Sequence, residues 1–385
     1  MVKNMWDKFF ILFMALSLFC ITRQVPFQQL GGLITPLYII SLIFYIRNIR
    51  ENIYSEEKYM QRCILIYVMF FSIMFFYAIA LGNEFYYVLQ TYAVILLLIF
   101  AYYIKPNEKI ISVYIFLALL HAIVLIGLNY FFITTMVHEN FIIRAIFSEN
   151  GYGGDAFFVN DYLCRIIIKG NELLPLAIML VEVHYEKMKK YLLLCIFIFA
   201  TIIAGNFGFI MALFIFYILW WIYQKKYKTI CCVFVGLLVS GSILSTDLSE
   251  YISGKQDSSW SARIDQVNVL VDDFDTAFDI VVGKGMGNNV NVRGQYRDYS
   301  GQRYYEVQGM YIFNQIGFMG MILVIFMNII LSVNYFKSMQ AKIIYIAYFS
   351  YAITNPYIFN IFHLIVINVL VSIPITIDKR IEQEG

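Results

Sequence analysis

The sequence predicts an all-α polytopic membrane protein of about twelve transmembrane helices with one large extracytoplasmic loop. Three observations carry this. Hydrophobic residues make up 61% of the chain and charged residues 14%, against about 45–50% and about 25% in soluble domains. Twelve stretches are apolar over lengths near the roughly 17–25 residues that a membrane helix needs. Lysine and arginine gather in alternate short connections, as the positive-inside rule requires.

The twelve stretches are 8–22, 30–46, 62–81, 86–103, 110–134, 166–183, 191–206, 208–223, 230–244, 310–334, 343–359 and 361–377. The first follows a basic start, Lys3 and Lys8, and no small-residue cleavage site follows it, so it reads as a helix that stays. Stretch 191–223 reads either as one long tilted helix or, if both ends are cytoplasmic, as a hairpin. Gly205-Asn206-Phe207-Gly208 interrupts it, and basic clusters flank both ends: Lys187, Lys189 and Lys190 on one side, Lys225, Lys226 and Lys228 on the other. Twelve spans put both termini in the cytoplasm and leave most of the 28 Lys and Arg on that side. The chain then divides into spans one to nine (1–244), the large loop (245–309), and spans ten to twelve with a tail (310–385).

This composition excludes a soluble enzyme and a disordered chain. A net charge of +2 leaves no nucleic-acid footprint. Five of the six cysteines, Cys20, Cys63, Cys195, Cys231 and Cys232, lie in apolar runs with no zinc spacing, and Cys164 stands at the edge of one. No HExxH motif is present and no cysteine–histidine cluster has metal spacing, so a cofactor-free, metal-independent protein is expected.

The loop at 245–309 is too long to be a simple connection. Ile264, Val267, Val271, Phe274, Phe278 and Val281 recur at three- and four-residue spacing, which predicts an amphipathic helix docked on the membrane domain by that stripe. Ser261 is its candidate N-cap, and Gly283-Lys284-Gly285-Met286-Gly287 ends it in a turn. A polar stretch with Arg293, Arg297 and Arg303 follows and leads through Tyr305, Glu306 and Gln308 into the tenth span. Together with Lys284, these cations suit an anionic phosphate carried by a polar, sugar-like substrate. The plain alternative is a solvated loop with scattered charge. A second cluster, Arg165, Lys169, Asn171 and Glu172, opens span six. Its three- to four-residue spacing on a helix suggests either mutual pairing or a second phosphate contact. His121 and His363 fall in apolar stretches and read as packing histidines; His138 lies in the first outer loop, about 135–165.

The order Ser261-x-Arg263, amphipathic helix, Gly283/Gly285/Gly287 turn, polar stretch, then Asn314-Gln315-Ile316-Gly317-Phe318-Met319-Gly320 opening a span resembles the O-antigen ligase/polymerase superfamily, the Wzy-type polysaccharide polymerases. The likeness covers mainly about 190–335; before that only hydropathy agrees. Two departures stand out. Many relatives carry Ser-Arg-Gly in the turn matching 204–208, where this chain has Ala204-Gly205-Asn206-Phe207-Gly208. The loop also lacks the late histidine of the ligase branch, which favours polymerase over ligase.

The resemblance implies a GT-C-like membrane glycosyltransferase in the bacterial cytoplasmic (inner) membrane. It implies polymerisation of undecaprenyl-pyrophosphate-linked repeat units into an O-antigen or capsule on the outer face of that membrane. It also implies membrane lipids, a chain-length regulator and a flippase as candidate partners. In that scheme Arg263 binds pyrophosphate and Glu306 takes the acceptor proton or orients the hydroxyl. Arg165, Lys169, Arg293, Arg297, Arg303, Tyr305 and Gln308 bind substrate. Each role has a bland counterpart: a capping arginine, an interfacial carboxylate, a snorkelling charge, a loop-packing tyrosine. A lipid-linked oligosaccharide flippase is the rival function; it fits twelve spans but not the one-sided polar loop or the lack of internal repeats.

Overall fold

The structure, a computed structural model, describes residues 2–22, 28–41, 43, 58–101, 107–137, 139–149, 154–233, 261–290, 305, 307–354 and 357–374. The first helix, α1, runs Val2–Thr22. A 3-10 helix, Gln28–Leu33, leads into α2 over 34–41. Then come α3 (Lys58–Ala80), α4 (Phe85–Ala101), α5 (Lys109–Thr135) and α6 (Asn140–Glu149). A hairpin follows, β1 (Asp155–Asn160) paired antiparallel with β2 (Leu163–Ile167). Helices resume with α7 (Leu173–His184), α8 (Lys187–Ala204), α9 (Phe207–Tyr223) and α10 (227–233). The large loop contributes α11 (Ser261–Asp272) and α12 (Ala277–Val282). The chain closes with α13 (Gln308–Asn334), α14 (Met339–Thr354) and α15 (Ile361–Val371).

Among the described residues, α3, α5 and α13 are long and apolar enough to cross a bilayer. Their apolar sides divide between a packed face and an exposed one. On α3, Tyr67, Phe71 and Met74 are buried while Ile66, Ile73 and Phe76 are exposed, as expected of a helix between protein and lipid. Two shorter helices fill the middle. Leu173–Val181 of α7 and Ile361–Val371 of α15 are buried all round, which is the state of a helix apolar on every side. Around them α14 packs on α9, α5 on α7 and α8, and α1 on α5.

The hairpin at 191–223 turns at the expected place. Gly205 closes α8 in the left-handed conformation, φ 60°, and the Asn206 side chain accepts from Gly208 N at 2.9 Å to cap α9. The expected spans 166–183 and 361–377 are corrected: the helices there hold 12 and 11 residues. Residues 163–167 pair as a strand instead, and polar turns at 169–172 separate them from α7. A short apolar run is equally compatible with a strand and a buried helix. Most of the stretch 230–244 lies outside the described residues.

The expected packing histidines take that role. His121 Nε2 meets Asn171 Oδ1 at 3.0 Å, and Asn171 Nδ2 donates to Ile166 O, tying α5 to the end of the hairpin. His363 lies between Tyr348 Oη (3.1 Å) and Asn328 Oδ1 (3.0 Å), joining α13, α14 and α15.

Candidate functional site

The expected loop helix is two helices. Thr276 breaks it and caps the second: its hydroxyl accepts from Asp279 N, and the Asp279 carboxylate accepts from Thr276 N at 3.0 Å. The docking face also differs from the expectation. Gln266 and Leu270 are fully buried, whereas Ile264, Val271, Phe278 and Val281 are exposed. Arg263, half-buried, shares the packed face, since 263, 266, 270 and 273 recur at helical spacing. The backbone of the chain entering α13 reaches that face: Val307 N donates to Gln266 Oε1 at 3.4 Å.

The glycine turn is held on two sides. Gly283, Gly285 and Gly287 all have positive φ. Gly283 lies against the backbone of Gln315 and Gly317, and Lys284 N donates to Asn314 O at 2.8 Å. This works because α13 is not regular: Gly317 sits at φ 64°, ψ −175° inside it. The break frees α13 carbonyls for other donors. On the other side, Asn83 at the α3–α4 corner donates to Lys284 O (3.2 Å) and Met286 O (3.1 Å). Gln315 Oε1 accepts from Gly287 N (3.0 Å) and Thr91 (3.3 Å).

Between turn and helix lies a polar knot that the charge pattern alone did not single out. Asp273 Oδ2 accepts from Asn288 Nδ2 (3.0 Å) and Asn314 Nδ2 (2.9 Å). Asn288 also donates to Asn314 Oδ1 at 2.9 Å, and Asn314 to Leu270 O at 3.3 Å. Asn314 had been noted only as part of a motif. Asp273 had not been singled out, although it opens the triplet Asp273-Phe274-Asp275.

Lys284 is committed within this assembly. It pairs with Asp275 and, at 3.4 Å, with Asp279. The hydrogen bond that Lys284 donates to Asp275 and the charge of Asp279 raise its pKa against the opposing effect of burial. Burial pushes the Asp279 carboxyl up, but the Thr276 bonds and the Lys284 charge outweigh it and hold it below the ordinary range. Lys284 is thus a clasp between α12 and the turn, with its charge balanced there.

Tyr305 is buried, its hydroxyl donating to Val290 O and its ring 4.4 Å from that of Tyr311. It packs the loop with Leu270, and its ring presents no open face for a sugar. Gln308 opens α13 with its Oε1 buried and without a hydrogen-bond partner among the described residues. Glu306, Arg293, Arg297 and Arg303 lie outside the described residues, as does His138.

The second cluster is rearranged. Arg165 is on β2, Lys169 is exposed in a turn, and Glu172 accepts from Gly170 N at 2.9 Å, so the expected helical ladder of charges is corrected. The Arg165 guanidinium lies 5.5 Å from the Phe157 ring centroid, and Arg144 lies 5.0 Å from the same ring. The Arg165 side chain also lies over the α8–α9 turn, where a Cβ on Gly205 would stand 2.7 Å from its Nε. Arg144 pairs with Asp155 at 3.2 Å, both exposed. Arg165 packs among β1 and the α8–α9 turn, while Arg263 belongs to the face of α11 that meets α13.

No family model matches the chain, and no curated protein or solved structure is detectably similar to it.

Proposed function

We propose that the chain is a membrane glycosyltransferase of the polysaccharide-polymerase type. It crosses the membrane several times with both termini cytoplasmic, and it joins undecaprenyl-pyrophosphate-linked repeat units on the outer face of a bacterial cytoplasmic membrane. One observation supports this reading above others. The described part of the long loop, 261–290, is clamped to the opening of α13 and the α3–α4 corner, with Arg263 on the same face as Gln266 and Asp273. A transferase needs donors held rigidly where charge develops.

In this reading the acceptor hydroxyl attacks the anomeric carbon of the donor glycan. The bond to the lipid pyrophosphate breaks, and that group leaves with the electron pair. Arg263 stabilises the leaving phosphates, because its planar fork pairs with phosphate oxygens and stays charged. Glu306 accepts the hydroxyl proton. Arg165 on β2, Lys169 in the turn after it, and Arg293, Arg297 and Arg303 in the loop extend this cationic site for the anionic substrate.

A flippase is the second reading. The short buried helices α7 and α15, with His363 bonded to Asn328 among them, resemble the discontinuous helices of transporters. Deleting the gene in its native host separates the two. Loss of the polysaccharide ladder to single repeat units, restored by wild type, is the polymerase outcome. Loss of all surface repeat units, with lipid-linked units held on the cytoplasmic side, means a flippase.

A further inference from the structure

We propose that α12, with the outward edge of α11, lies in the membrane interface and contacts the acyl chains of the surrounding lipid through Phe278, Val281, Ile264 and Val271. The proposal is independent of the reaction assigned above.

Depth is the first argument. The glycine turn that follows α12 touches two places at once. Gly285 stands against Ala78 and Asn83, and Gly287 against the Val88 nitrogen, 2.8 Å from a Cβ built there. Gly283 stands 2.6 Å, measured from such a Cβ, from the nitrogen of Gly317. Ala78, Asn83 and Val88 form the corner where α3 ends and α4 begins. Gly317 therefore lies near the level of that corner, with Gln315 just before it within reach of Thr91 on α4. Residues 317–334 alone extend about 27 Å at 1.5 Å per residue, close to the hydrocarbon thickness of about 30 Å. The bilayer surface then falls at Gly317, and α12, which ends at Val282 beside it, lies at that surface.

Continuity is the second argument. Phe278 is 59% exposed, and its ring lies 6.4 Å from that of Tyr77 on α3. The exposed apolar residues of α3 (Ile73 and Phe76) and of α13 (Phe318 and Ile322) continue from it. Phe85 and Tyr86 open α4 at the same corner, both exposed, as aromatic residues are at a bilayer interface. A second protein would have to cover this surface at the depth where lipid already covers α3 and α13.

Charge settles the kind of lipid contact. Asp272 and Asp275 are exposed on these helices, and the nearby Lys284 is committed to Asp275 and Asp279. The charge of Lys284 is thus balanced within the turn, and the contact made by Phe278 and Val281 is apolar, so it should not depend on anionic lipid.

The test uses the full chain, with its cysteines replaced, in nanodiscs of phosphatidylcholine. Single cysteines at Phe278 and Val281 are compared with Asp275. An environment-sensitive fluorophore at 278 and 281 is expected to be quenched by phosphatidylcholine bearing an acyl-chain nitroxide. A water-soluble maleimide is expected to react there about tenfold more slowly than at 275. Adding phosphatidylglycerol should change neither. Alkylation at 278 as fast as at 275, without lipid quenching, would overturn the proposal in favour of a solvated face. Slow alkylation without lipid quenching, with 278–278 cross-linking, would overturn it in favour of a second copy. Because Phe278 and Val281 are exposed, their replacement leaves the packed face, Gln266 and Leu270, in place.

Discussion

Gly283 and Gly317 lie backbone to backbone, Gly283 at φ 92°, ψ 165° and Gly317 at φ 64°, ψ −175°. Both conformations belong to a region that is essentially glycine-only and costs of order 1–3 kcal/mol for other residues. A Cβ on either would also run into the other segment's backbone. This contact joins the loop to the membrane helix. Gly317→Ala and Gly283→Ala should each lower the melting temperature in detergent and raise protease cleavage in the loop, at a cost of roughly 2–4 kcal/mol when conformational strain and overpacking combine. An unchanged melting temperature for either variant would show that the contact contributes nothing.

Asp273→Ala should loosen the same junction by another route. It removes the acceptor of both Asn288 Nδ2 and Asn314 Nδ2. Each amide keeps one other partner, Asn314 Oδ1 and Leu270 O respectively. The expected cost is therefore about 1–3 kcal/mol rather than that of a stranded charge. Asp273→Asn keeps an acceptor oxygen in the same place and should cost less. Equal losses for the two variants, read by thermal unfolding in detergent, would mean that the carboxylate charge itself is the essential feature.

The helices and the glycine turn were readable because their signals are local: apolar length for α3, α5 and α13, and Gly205 beside Asn206 for the α8–α9 turn. Three features were not. The hairpin hides because the apolar Ile166-Ile167-Ile168 reads as the start of a membrane stretch, whereas Leu163–Ile167 pairs back across the two-residue turn Asp161-Tyr162 with Asp155–Asn160. The packed face of α11 was misread because in a membrane protein the apolar stripe can face lipid while Gln266 faces protein. The Asp273–Asn288–Asn314 knot joins residues far apart in the chain, and no periodicity reports such a meeting. Of the anticipated site, Arg263 lies on the packed face of α11 and Arg165 reaches over the α8–α9 turn, whereas Tyr305 turned out to be packing.

The Lys284 clasp carries a pH dependence with two edges. Asp279 is depressed below the ordinary carboxyl value of 3.8, so its contribution is present above that value and is lost as pH falls through the folded pKa beneath it. Lys284 is raised above its ordinary 10.5, so its contribution is present below that value and is lost as pH rises through the higher folded pKa. Amide exchange protection over 277–290 should therefore be flat across neutral pH and fall at both extremes. Lys284→Met removes the alkaline edge and leaves a weaker acid edge, because the Thr276 bonds to Asp279 remain. A loss of protection in the wild type centred near neutral pH would show that another group governs the turn.

Arg263→Ala gives the most direct test of the proposed chemistry. The side chain is half-buried one turn from Gln266, on the face where the chain enters α13. If it stabilises departing pyrophosphate, its removal should lower the polymerisation rate by about 10²–10³, the usual cost of deleting one such donor. Arg263→Lys should recover only part of this, because an ammonium offers a point charge in place of a planar fork. Both variants should insert and melt like wild type. A purely structural arginine behaves differently: the lysine variant would restore polymer length fully, and the alanine variant would lose stability in step with activity. Chain-length profiles of the surface polysaccharide, run beside melting curves of the purified variants, separate the two roles.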